Sequence, residues 1–493
     1  MQLYKLIQNI KVISISDISE PCNIIDITTN SREVISGSMF VAVKGFTVDG
    51  HQFIANAVNN GASAVVLENK QDYPDEYFYN NNVVKIVVEN IRKAFADLSC
   101  EFYNHPSKQL KLVGITGSNG KTTTAFFVKN LFEKAGYKTG ILGTISNIFG
   151  NFNEDSKLTT HESNTINKYL RQMVNEGITH CVMEVSSHSL ILERVRGLDF
   201  DYGIFTNITS DHLDFHSNFE NYLNAKKIFY DNLNPKSIAI FNVDDKSSTK
   251  LLSNNSSTKI SFGKSEIADY RISDVSFNME GTYFSLKNNN HTFQFNTKLI
   301  GEFNAYNAAS VAIIGVNENY DDEIIINGIN STPQVPGRFE VISKGDKKVV
   351  IDYSHTADSL EKALETIIEL VNKSRPIHTV FGCGGNRDKT KRPIMGEIAD
   401  RLSNEIYVTS DNPRDENPLE IINEILVGIK RKNANVIENR GEAIKLAICN
   451  SEPNAVILIA GKGHEEYQLI KGIKYHFSDK EIAKKYLESC KWK

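Results

Sequence analysis

The segment Gly114–Thr123 carries the residue types that bind a polyphosphate. It follows an apolar, strand-like stretch and precedes a helical pattern over 125–135, so backbone N–H groups and a helix N-terminus would face the phosphates. Lys121 would neutralise the β- and γ-phosphates, and the Thr122 hydroxyl would bind the Mg²⁺ that accompanies them. The strict P-loop pattern has glycine where Ile115 stands, so a glycine-rich turn that only packs is the alternative. The strand and helix around Lys-Thr favour ATP binding.

A carboxylate and an imidazole follow two further apolar strands. Glu184 ends one strand, and His212 lies in Asp211–His216 after another. Beside a phosphate loop, such side chains are natural magnesium ligands or organisers of water. Either one alone would indicate only a surface hydrogen-bonding residue, but together they predict a metal site. Lys226, on the next predicted helix, indicates by composition alone a solvated lysine without function.

Apolar strands alternate with helical stretches along most of the chain. Such alternation predicts parallel sheets covered on both faces, with ligands bound outside the carboxyl ends of the strands. The polar motifs do follow predicted strands. The predicted elements are strands at 139–143, 179–185, 202–207, 237–242, 348–352, 377–382, 404–409 and 455–460, and a helix at 219–233.

We expect an α/β protein of three domains, because 493 residues are more than one core usually holds. Residues 1–108 are predicted to form a smaller α/β N-terminal domain. Residues 109–332 would form a central, P-loop ATPase-like domain around a parallel sheet, and residues 333–493 a C-terminal, Rossmann-like domain. The boundaries rest on proline-containing segments at 104–107 and 333–337.

The overall composition argues against several classes of protein. A formal net charge of −5 gives no electrostatic reason to expect binding of nucleic acid. No apolar run has the length of a membrane span, and the N-terminus lacks the apolar core of a signal peptide. The six cysteines lack the short paired spacings of a zinc site or a disulfide framework. We therefore expect a protein of the reducing cytoplasm that is not inserted into a membrane.

Motifs along nearly the whole chain, in the same order, resemble those of the Mur ligases. These are the ATP-dependent, amino-acid-adding enzymes of bacterial peptidoglycan synthesis, and the N-terminal motifs resemble the branch that adds the third residue of the peptide. The matching segments are Asn30–Arg32, Gly37–Gly45, Asp49–His51, Gly114–Thr123, Glu184–His188, Thr206–Asp214, Tyr222–Lys226, Gly301–Asn307, Gly337–Glu340, Asp352–Thr356, Gly382–Gly385, Asp411–Arg414 and Gly461–Glu465.

The resemblance implies a set of catalytic and metal-binding residues. The catalytic positions of the family are matched by Lys121, Glu184, His212 and Lys226. The metal site of the family is matched by Thr122, Glu184, His212 and Lys226. The family lysine that matches Lys226 is carbamylated by carbon dioxide, which turns a cation that would repel Mg²⁺ into an anion that attracts it. The implied ATP-binding residues are Gly117, Ser118, Asn119, Gly120, Lys121, Thr122, Thr123, Asn307, Arg338 and Asp352.

The resemblance also implies the reaction and the acceptor. ATP would phosphorylate a substrate carboxylate to an acyl phosphate, an amine would attack it, and closure of the three domains would exclude water. The acceptor would be UDP-MurNAc-L-Ala-D-Glu, and the protein is expected to act as a monomer. The uridine would contact Ser31, Phe46, Thr47 and Val48, and the muramoyl-dipeptide Thr159, Thr160, Ser186 and Arg194.

The amino acid added by such an enzyme would be meso-diaminopimelate. Diaminopimelate carries one more carboxylate than L-lysine, and the forked donors of an arginine suit that carboxylate. Arg414 supplies the cation and matches the diaminopimelate-adding branch, although a salt bridge to Asp415 or Glu416 is another use for it. The implied pocket consists of Arg387, Asp411, Asn412, Pro413, Arg414, Gly461 and Glu465.

Other interpretations are open on the sequence alone. A lysine-adding ligase of the same family would commonly lack the arginine at position 414. Folylpolyglutamate synthetases share the central fold, but Asn30–Arg32 and the Asp-Asn-Pro-Arg segment disfavour them. A catalytically silent, Mur-like scaffold could lose any of four catalytic residues without losing the fold. All four are present here: Lys121, Glu184, His212 and Lys226.

Overall fold

Three β-sheets follow one another along the chain. The computed structural model describes residues 1–16, 22–45, 48–68, 73–209, 211–289, 291–372, 374–431 and 434–490. In these ranges the sheets contain 5, 11 and 6 strands, and a separate two-stranded hairpin lies near the C-terminus. The first sheet is made from the N-terminal part of the chain, the second from the part with the phosphate loop, and the third from the C-terminal part.

The first sheet is covered by helices on both faces. Its elements are α1 (Leu3–Ile7), β1 (Val12–Ile15), β2 (Asp26–Thr28), β3 (Ser38–Val41), α2 (Ile54–Asn59), β4 (Ala64–Glu68), α3 (Asp75–Asn80), β5 (Val84–Val88) and α4 (Ile91–Phe102). The strand order is β1-β5-β4-β3-β2, and only the β1–β5 pair is antiparallel. Alternate strand residues pack on α1 and α4 on one face and on α2 and α3 on the other.

The second sheet carries the phosphate loop at its centre. Its strands are β6 (Lys111–Thr116), β7 (Thr139–Leu142), β8 (Ser146–Phe149), β9 (Phe152–Asp155), β10 (His180–Glu184), β11 (Tyr202–Phe205), β12 (Ile238–Asn242), β13 (Thr258–Gly263), β14 (Tyr270–Asn278), β15 (Gly281–Lys287) and β16 (Thr292–Thr297). The order is β16-β15-β14-β13-β12-β11-β6-β10-β7-β8-β9, and every pair from β14 across to β7 is parallel.

Two hydrophobic cores cover the faces of this sheet. Its helices are α5 (Lys121–Lys134), α6 (Ser163–Asn175), α7 (Ser187–Ile191), α8 (Leu213–His216), α9 (Phe219–Asp231), α10 (Ser248–Leu251), α11 (Glu302–Asn317) and α12 (Asp322–Asn330). One core contains α5, α11 and α12, and the other contains α6, α7 and α9. Strands buried on both faces keep the loops at their carboxyl ends in fixed positions.

The third sheet has the same plan. Its elements are β17 (Glu340–Lys344), β18 (Lys347–Asp352), α13 (Ala357–Val371), β19 (Ile377–Phe381), α14 (Lys391–Leu402), β20 (Glu405–Val408), α15 (Pro418–Leu426), β21 (Ala434–Val436), α16 (Arg440–Asn450), β22 (Val456–Ala460) and α17 (Asp479–Ser489). The order is β17-β18-β22-β19-β20-β21, with only β17 antiparallel. A hairpin of β23 (Tyr467–Ile470) and β24 (Ile473–His476) follows β22.

The structure confirms the predicted elements and the α/β class. All the strands predicted at 139–143 through 455–460, and the helix at 219–233, match observed elements to within about two residues. The proposed domain boundaries at 108/109 and 332/333 fall between the sheets and stay predictions. The outer strands β8, β9, β15 and β16 pair antiparallel, so the predicted parallel sheet has antiparallel edges that the sequence analysis did not predict. The alternating Thr-Phe-Gln-Phe-Asn-Thr of β16 was the sequence signal for them.

The argument against a disulfide framework does not hold for one pair of cysteines. Cys449 at the end of α16 and Cys490 after α17 form a disulfide, with their Cα atoms 5.5 Å apart. The two cysteines lie 41 residues apart, so only the packing of α16 on α17 brings them together. In the described ranges, no helix is long and apolar enough to cross a membrane.

Candidate active site

The phosphate loop at residues 117–120 connects β6 to α5. Gly117 and Gly120 have φ values of +151° and +88°, at which a side chain is strained. A Cβ on Gly117 would lie 1.9 Å from Thr206 Oγ1, and a Cβ on Gly120 would lie 2.4 Å from Asn307 Oδ1. Glycine at both positions therefore lets the loop pack tightly against the end of β11 and against α11.

The segment after β11 holds the loop in place. Ser118 N–H donates to Asn207 O at 2.8 Å, and Asn119 N–H donates to Asn207 Oδ1 at 3.0 Å. Thr206 Oγ1 donates to Asn119 O at 2.6 Å. The first N–H groups of a helix have no partner within it, so those at the start of α5 are left to bind an anion.

Lys121 lies half-buried under the loop. Its Nζ donates to Gly117 O and Ser118 O, both at 2.9 Å, and it forms no ion pair with any described residue. Burial lowers the pKa of Lys121 below its usual range. A bound phosphate would supply the anionic partner that this ammonium group needs.

Glu184, the last residue of β10, points toward the same cavity. Its Oε1 accepts from Thr144 N–H at 2.8 Å and its Oε2 accepts from Thr144 Oγ1 at 2.9 Å. A Cβ on Gly143 would lie 2.5 Å from Glu184 Oε1. The segment after β7 therefore fixes the direction of this buried carboxylate.

His212 and Asp211 lie together before α8. His212 adopts a left-handed backbone conformation, with φ +54°, and its Nε2 lies 3.3 Å from Asp211 Oδ2. Burial lowers the pKa of His212 to about 4. The imidazole is therefore neutral near pH 7, the form that can bind a metal ion.

Lys226 is a buried residue of α9, so its interpretation from composition as a solvated lysine is wrong. Its side chain is 1% exposed, and its Nζ donates to Gly117 O at 2.8 Å and lies 4.7 Å from the centre of the Tyr222 ring. Burial and the positive charge of Lys121 lower the pKa of Lys226 well below its usual range. A neutral amine is thus accessible at this position, directly behind the phosphate loop.

A cavity of about 590 Å³ joins these groups to the C-terminal part of the chain. Lys121, Glu184 and His212 line it, and so do Asn307, Arg338 and Asp352, whereas Lys226 lies outside its lining. The cavity therefore contains most of the predicted ATP-binding and metal-binding side chains.

Arg338 reaches the phosphate loop from the C-terminal part. Its NH2 donates to Thr122 Oγ1 at 3.1 Å, and its guanidinium carbon lies 4.4 Å from the centre of the Tyr353 ring. Asp352, at the end of β18, accepts from Phe339 N–H at 2.7 Å, and burial raises its pKa. A cation and a half-buried carboxylate from the C-terminal part of the chain therefore complete the cavity.

The residues predicted to contact the muramoyl-dipeptide form one hydrogen-bonded group. Thr160 Oγ1 donates to Glu184 O at 2.8 Å and accepts from Ser186 N–H at 3.1 Å. Arg194 NH1 donates to Thr160 O at 3.0 Å. Thr159 lies beside them, with its Oγ1 3.2 Å from Thr144 Oγ1. This group adjoins the predicted metal site, as a substrate carboxylate near ATP would require.

The residues predicted to contact uridine lie in the first sheet region. Ser31 is buried, and its carbonyl accepts from Asn60 Nδ2 at 2.8 Å. Val48 is exposed, while Phe46 and Thr47 lie outside the described residues. A uridine site around Ser31 stays a prediction.

The predicted amino-acid pocket lies at the carboxyl end of the third sheet. Asn412 Nδ2 donates to Glu465 Oε2 at 2.8 Å. Gly461 has φ +118°, and a Cβ there would lie 2.6 Å from Asp411 Oδ2. A Cβ on Gly385 would lie 1.9 Å from Pro413 O. Close packing of these backbones brings the predicted residues into one site.

Arg414 and Arg387 both approach this site beside Gly384. A Cβ on Gly384 would lie 2.7 Å from Arg414 NH1 and 3.8 Å from Arg387 Cγ. Arg414 NH1 donates to Gly385 O at 2.8 Å, while its NH2 and Nε have no partner among the described residues. Two cations are therefore available for the carboxylates of one ligand.

The alternative use of Arg414, a salt bridge to its acidic neighbours, is not what the structure shows. Glu416 pairs instead with buried Arg392 at 2.9 Å, and Asp415 accepts from Asn386 Nδ2 at 2.7 Å. Arg414 forms no ion pair with either acid in the part of the chain that is described. Its guanidinium is therefore left for a ligand.

Comparison with known families decides what this arrangement is. The Mur ligase family catalytic domain matches residues 23–103, the Mur ligase middle domain matches residues 115–315, and the Mur ligase glutamate ligase domain matches residues 337–463. The chain belongs to the Mur ligase family.

This Mur ligase has full-length relatives that carry the name UDP-N-acetylmuramoyl-L-alanyl-D-glutamate–2,6-diaminopimelate ligase. It is 43% identical to the one from Clostridium acetobutylicum and 41% identical to the one from Cytophaga hutchinsonii, with 99% of both chains covered in each case. A solved structure with the same name has 26% identity and a TM-score of 0.69 over 99% of both chains. The MurF ligase of Thermotoga maritima, solved with ADP, shares the fold at a TM-score of 0.64 and 21% identity, over 95% of this chain and 98% of its own.

The predicted metal ligands of this Mur ligase fit Mg²⁺ only together with other groups. In the described ranges no three His, Cys, Asp or Glu side chains converge as a ready-made metal site. Thr122 and Glu184 offer oxygen atoms beside the phosphate loop, and His212 offers a neutral nitrogen. Lys226 would offer oxygen only as a carbamate. Because Mg²⁺ commonly takes a few protein ligands together with substrate phosphates, phosphate oxygens would complete such a site.

Several functional candidates were missed from the sequence. Lys462 is buried between Asn412 and Glu465, and Lys391 Nζ donates to the carbonyl of His355, which lines the large cavity. Lys462 lies inside the Gly461–Glu465 motif, so the motif was a signal for it. The composition of that motif does not tell whether its lysine points into solvent or into the pocket.

Proposed function

We propose that this Mur ligase joins meso-diaminopimelate to the D-glutamate of UDP-MurNAc-L-Ala-D-Glu, with hydrolysis of ATP to ADP and phosphate, in peptidoglycan synthesis. The choice of amino acid rests on Arg414, which is unpaired with its acidic neighbours and lies with Arg387 beside Gly384. Diaminopimelate brings two carboxylates and two ammonium groups, so a pocket with two arginines and a glutamate suits it. The names of the full-length relatives agree with this choice.

The first step would transfer the γ-phosphoryl group of ATP to the D-glutamate carboxylate. A carboxylate oxygen bonds to the γ-phosphorus, the bond from that phosphorus to the β,γ-bridging oxygen breaks, and ADP leaves. Both partners are anions, so Lys121, Arg338 and the N–H groups at the start of α5 would offset their repulsion. When bound, Mg²⁺ would add further positive charge, held by Thr122, Glu184, His212 and a carbamate on Lys226.

The second step would form the amide. The unprotonated amine of diaminopimelate attacks the acyl carbon and a tetrahedral intermediate forms. The nitrogen then loses a proton, and the C–O bond to phosphate breaks, so that inorganic phosphate leaves with the oxygen of the former carboxylate. The pocket around Asn412 and Glu465 would hold the amine near the acyl phosphate, which raises their effective concentration. Closure of the domains over the cavity would keep water from the acyl phosphate.

The surroundings of Lys226 support its carbamylation. An amine attacks the carbon of carbon dioxide only when it is unprotonated, and the product loses a proton to become an anionic carbamate. The lowered pKa of Lys226 supplies the unprotonated amine. The resulting negative charge would balance Lys121 and attract Mg²⁺. A cytoplasmic location and a monomeric state stay predictions.

Phosphate release tests the proposed reaction. The intact protein is incubated with ATP, Mg²⁺ and UDP-MurNAc-L-Ala-D-Glu, with meso-diaminopimelate, with L-lysine, or without an amino acid. We expect release of phosphate only with diaminopimelate, and the tripeptide product by mass spectrometry.

The other outcomes distinguish the alternatives. Release with L-lysine in preference to diaminopimelate would leave the family intact and contradict the role of Arg414. Binding of ATP without turnover of either amino acid would favour the silent scaffold.

A further inference from the structure

Lys462 is a buried cation at the back of the proposed amino-acid pocket. Its side chain is 0% exposed. Its Nζ donates to Asn412 Oδ1 at 3.0 Å and to Glu465 Oε2 at 3.1 Å. A buried ammonium group is costly unless it is paired and hydrogen-bonded, and here both of its side-chain partners are predicted ligand-binding residues.

The backbone turn directs Lys462 inward. Gly461 and Gly463, on either side of it, have φ values of +118° and +55°. A Cβ on Gly463 would lie 2.7 Å from Gly337 O, and a Cβ on Gly461 would lie 2.6 Å from Asp411 Oδ2. The two glycines therefore allow a turn so tight that the lysine between them points into the pocket rather than into solvent.

Lys462 determines which way the Asn412 amide faces. Asn412 Oδ1 accepts from Lys462 Nζ and also from Leu469 N–H at 2.9 Å. Both partners are donors only, so the amide oxygen must face them. The amide NH₂ group is thereby turned to Glu465, to which it donates at 2.8 Å.

The same contacts hold Glu465 through one carboxylate oxygen and leave the other without a donor among the described residues. Its Oε2 accepts from both Lys462 and Asn412, whereas its Oε1 accepts from no described residue. The side chain is 16% exposed, so Oε1 can be reached from the pocket. The carboxylate is thus fixed through one oxygen and presents the other to a ligand.

We propose that Lys462 is a positioning residue that orients Asn412 and Glu465 for the ammonium end of the incoming amino acid. This rests on the proposed function, because it assigns a role within the same pocket. Lys462 acts through its two partners and does not itself touch the substrate.

A purely structural buried lysine is present in the same domain and serves as a matched control. Lys347 is also 0% exposed, and its Nζ donates to Ile448 O and Ser451 O, at the end of α16, at 2.8 and 2.9 Å. These contacts satisfy carbonyl groups at a helix C-terminus. Removal of either ammonium group is expected to lower stability, but only Lys462 contacts the pocket.

The test compares K462M with K347M in the phosphate-release assay. For K462M we expect the KM for diaminopimelate to rise by about tenfold or more, with kcat within about threefold of the wild type and the KM values for ATP and the UDP-linked acceptor unchanged. For K347M we expect all three KM values to match the wild type, with a lower melting temperature. K462Q, which keeps one donor, is expected to restore part of the affinity, and it serves as the second variant if K462M does not fold.

Two opposite results would overturn the proposal. An unchanged KM for diaminopimelate in folded K462M would mean that Lys462 does not orient the pocket, and a lowered KM would mean that its charge repels the ligand ammonium. A rise in every KM by the same factor would indicate a general structural role. If the wild-type protein itself does not use diaminopimelate, the proposed function fails first, so the two failures are distinguishable.

Discussion

The cations around the phosphate loop have few anionic partners, which favours binding of a polyphosphate. Lys121 is half-buried and Lys226 is buried, both donate to Gly117 O, and loss of surrounding water lowers the pKa of each. Arg338 adds a third positive group at Thr122. Three cations with few anionic partners repel one another, so bound phosphates and a carbamate would relieve a local excess of positive charge.

Lys226 carries the first prediction at this scale. K226M is expected to lower kcat by about 100-fold or more, because the predicted metal site loses its carbamate. The adjacent K227M is the control, since Lys227 pairs with Asp231 at 2.6 Å on the helix surface. Turnover is measured by phosphate release, and the carbamate by ¹³C NMR after incubation with ¹³C-bicarbonate. Full activity of K226M, or a wild-type protein without a carbamate signal, would contradict this role.

Arg414 carries the second prediction. R414K keeps the charge but loses the forked donors, so kcat/KM for diaminopimelate is expected to fall about 10- to 100-fold. Any activity with L-lysine should change by less than about threefold, because lysine lacks the second carboxylate. R431K, in the same domain, where Arg431 pairs with Asp400, should leave both values unchanged. Equal losses with both amino acids would show that Arg414 supports the loop rather than the ligand.

At the scale of elements, a hairpin supports the pocket. Arg414 N–H donates to Leu469 O at 3.0 Å, and Lys471 N–H donates to Arg414 O at 2.8 Å, so β23 extends beside the loop that carries the arginine. Arg414 adopts a left-handed backbone conformation there, with φ +53°. Such a conformation costs free energy for a non-glycine residue, and it persists where neighbouring residues fix it. The two backbone hydrogen bonds to Leu469 and Lys471 fix it here.

At the scale of elements, the prediction concerns the packing of the phosphate loop. G117A is expected to weaken ATP binding at least tenfold and to destabilise the protein by about 1–3 kcal/mol, because the added Cβ would meet Thr206 Oγ1. G136A is the matched control: Gly136 has a similarly positive φ of +90°, but no atom lies within 4 Å of its added Cβ. It should lose only about 1–2 kcal/mol of stability and bind ATP normally. Calorimetry with Mg-ATP and thermal unfolding measure both effects, and normal ATP binding by G117A would contradict the packing argument.

At the scale of the whole molecule, the two junctions between sheet regions differ. The first region is fastened to the central one by bonds such as Asn164 Nδ2 to Ile27 O at 3.0 Å and Arg171 Nε to Tyr103 O at 2.9 Å. The third region meets the phosphate loop through Asp358, whose Oδ2 accepts from Asn119 Nδ2 at 3.0 Å. This second junction is built from residues of the active cavity and its rim.

The prediction for the whole molecule concerns the Asn119–Asp358 contact between the phosphate loop and the C-terminal domain. D358A is expected to lower kcat about fivefold, the effect of losing one partly exposed hydrogen bond to a charged group, because the C-terminal domain docks less often on the loop. E361A on the same helix is the control, since Glu361 pairs with Arg401 within its own domain. Phosphate release reports the rate, and small-angle scattering with substrates reports closure. An unchanged kcat in D358A would mean that the contact does not contribute to closure.

The local chemistry of this protein is determined by its sequence. Glycine spacing, a Lys-Thr pair and the alternation of apolar and polar residues are local properties, so by themselves they predict the phosphate loop, the parallel strands and the class of ligand. Family motifs extend this to the substrates and to the site residues.

Only the tertiary structure decides which side chains work together. Lys226 meets Gly117 across 109 residues, and Lys462 meets Asn412 across 50. Burial removes each of these lysines from water and pairs it with a partner that no local pattern identifies. The same holds for the Cys449–Cys490 disulfide and for Arg414, which is free of its acidic neighbours only because Arg392 pairs with Glu416. Burial, pKa and charge pairing depend on contacts between distant segments, and these exist only once the chain has folded.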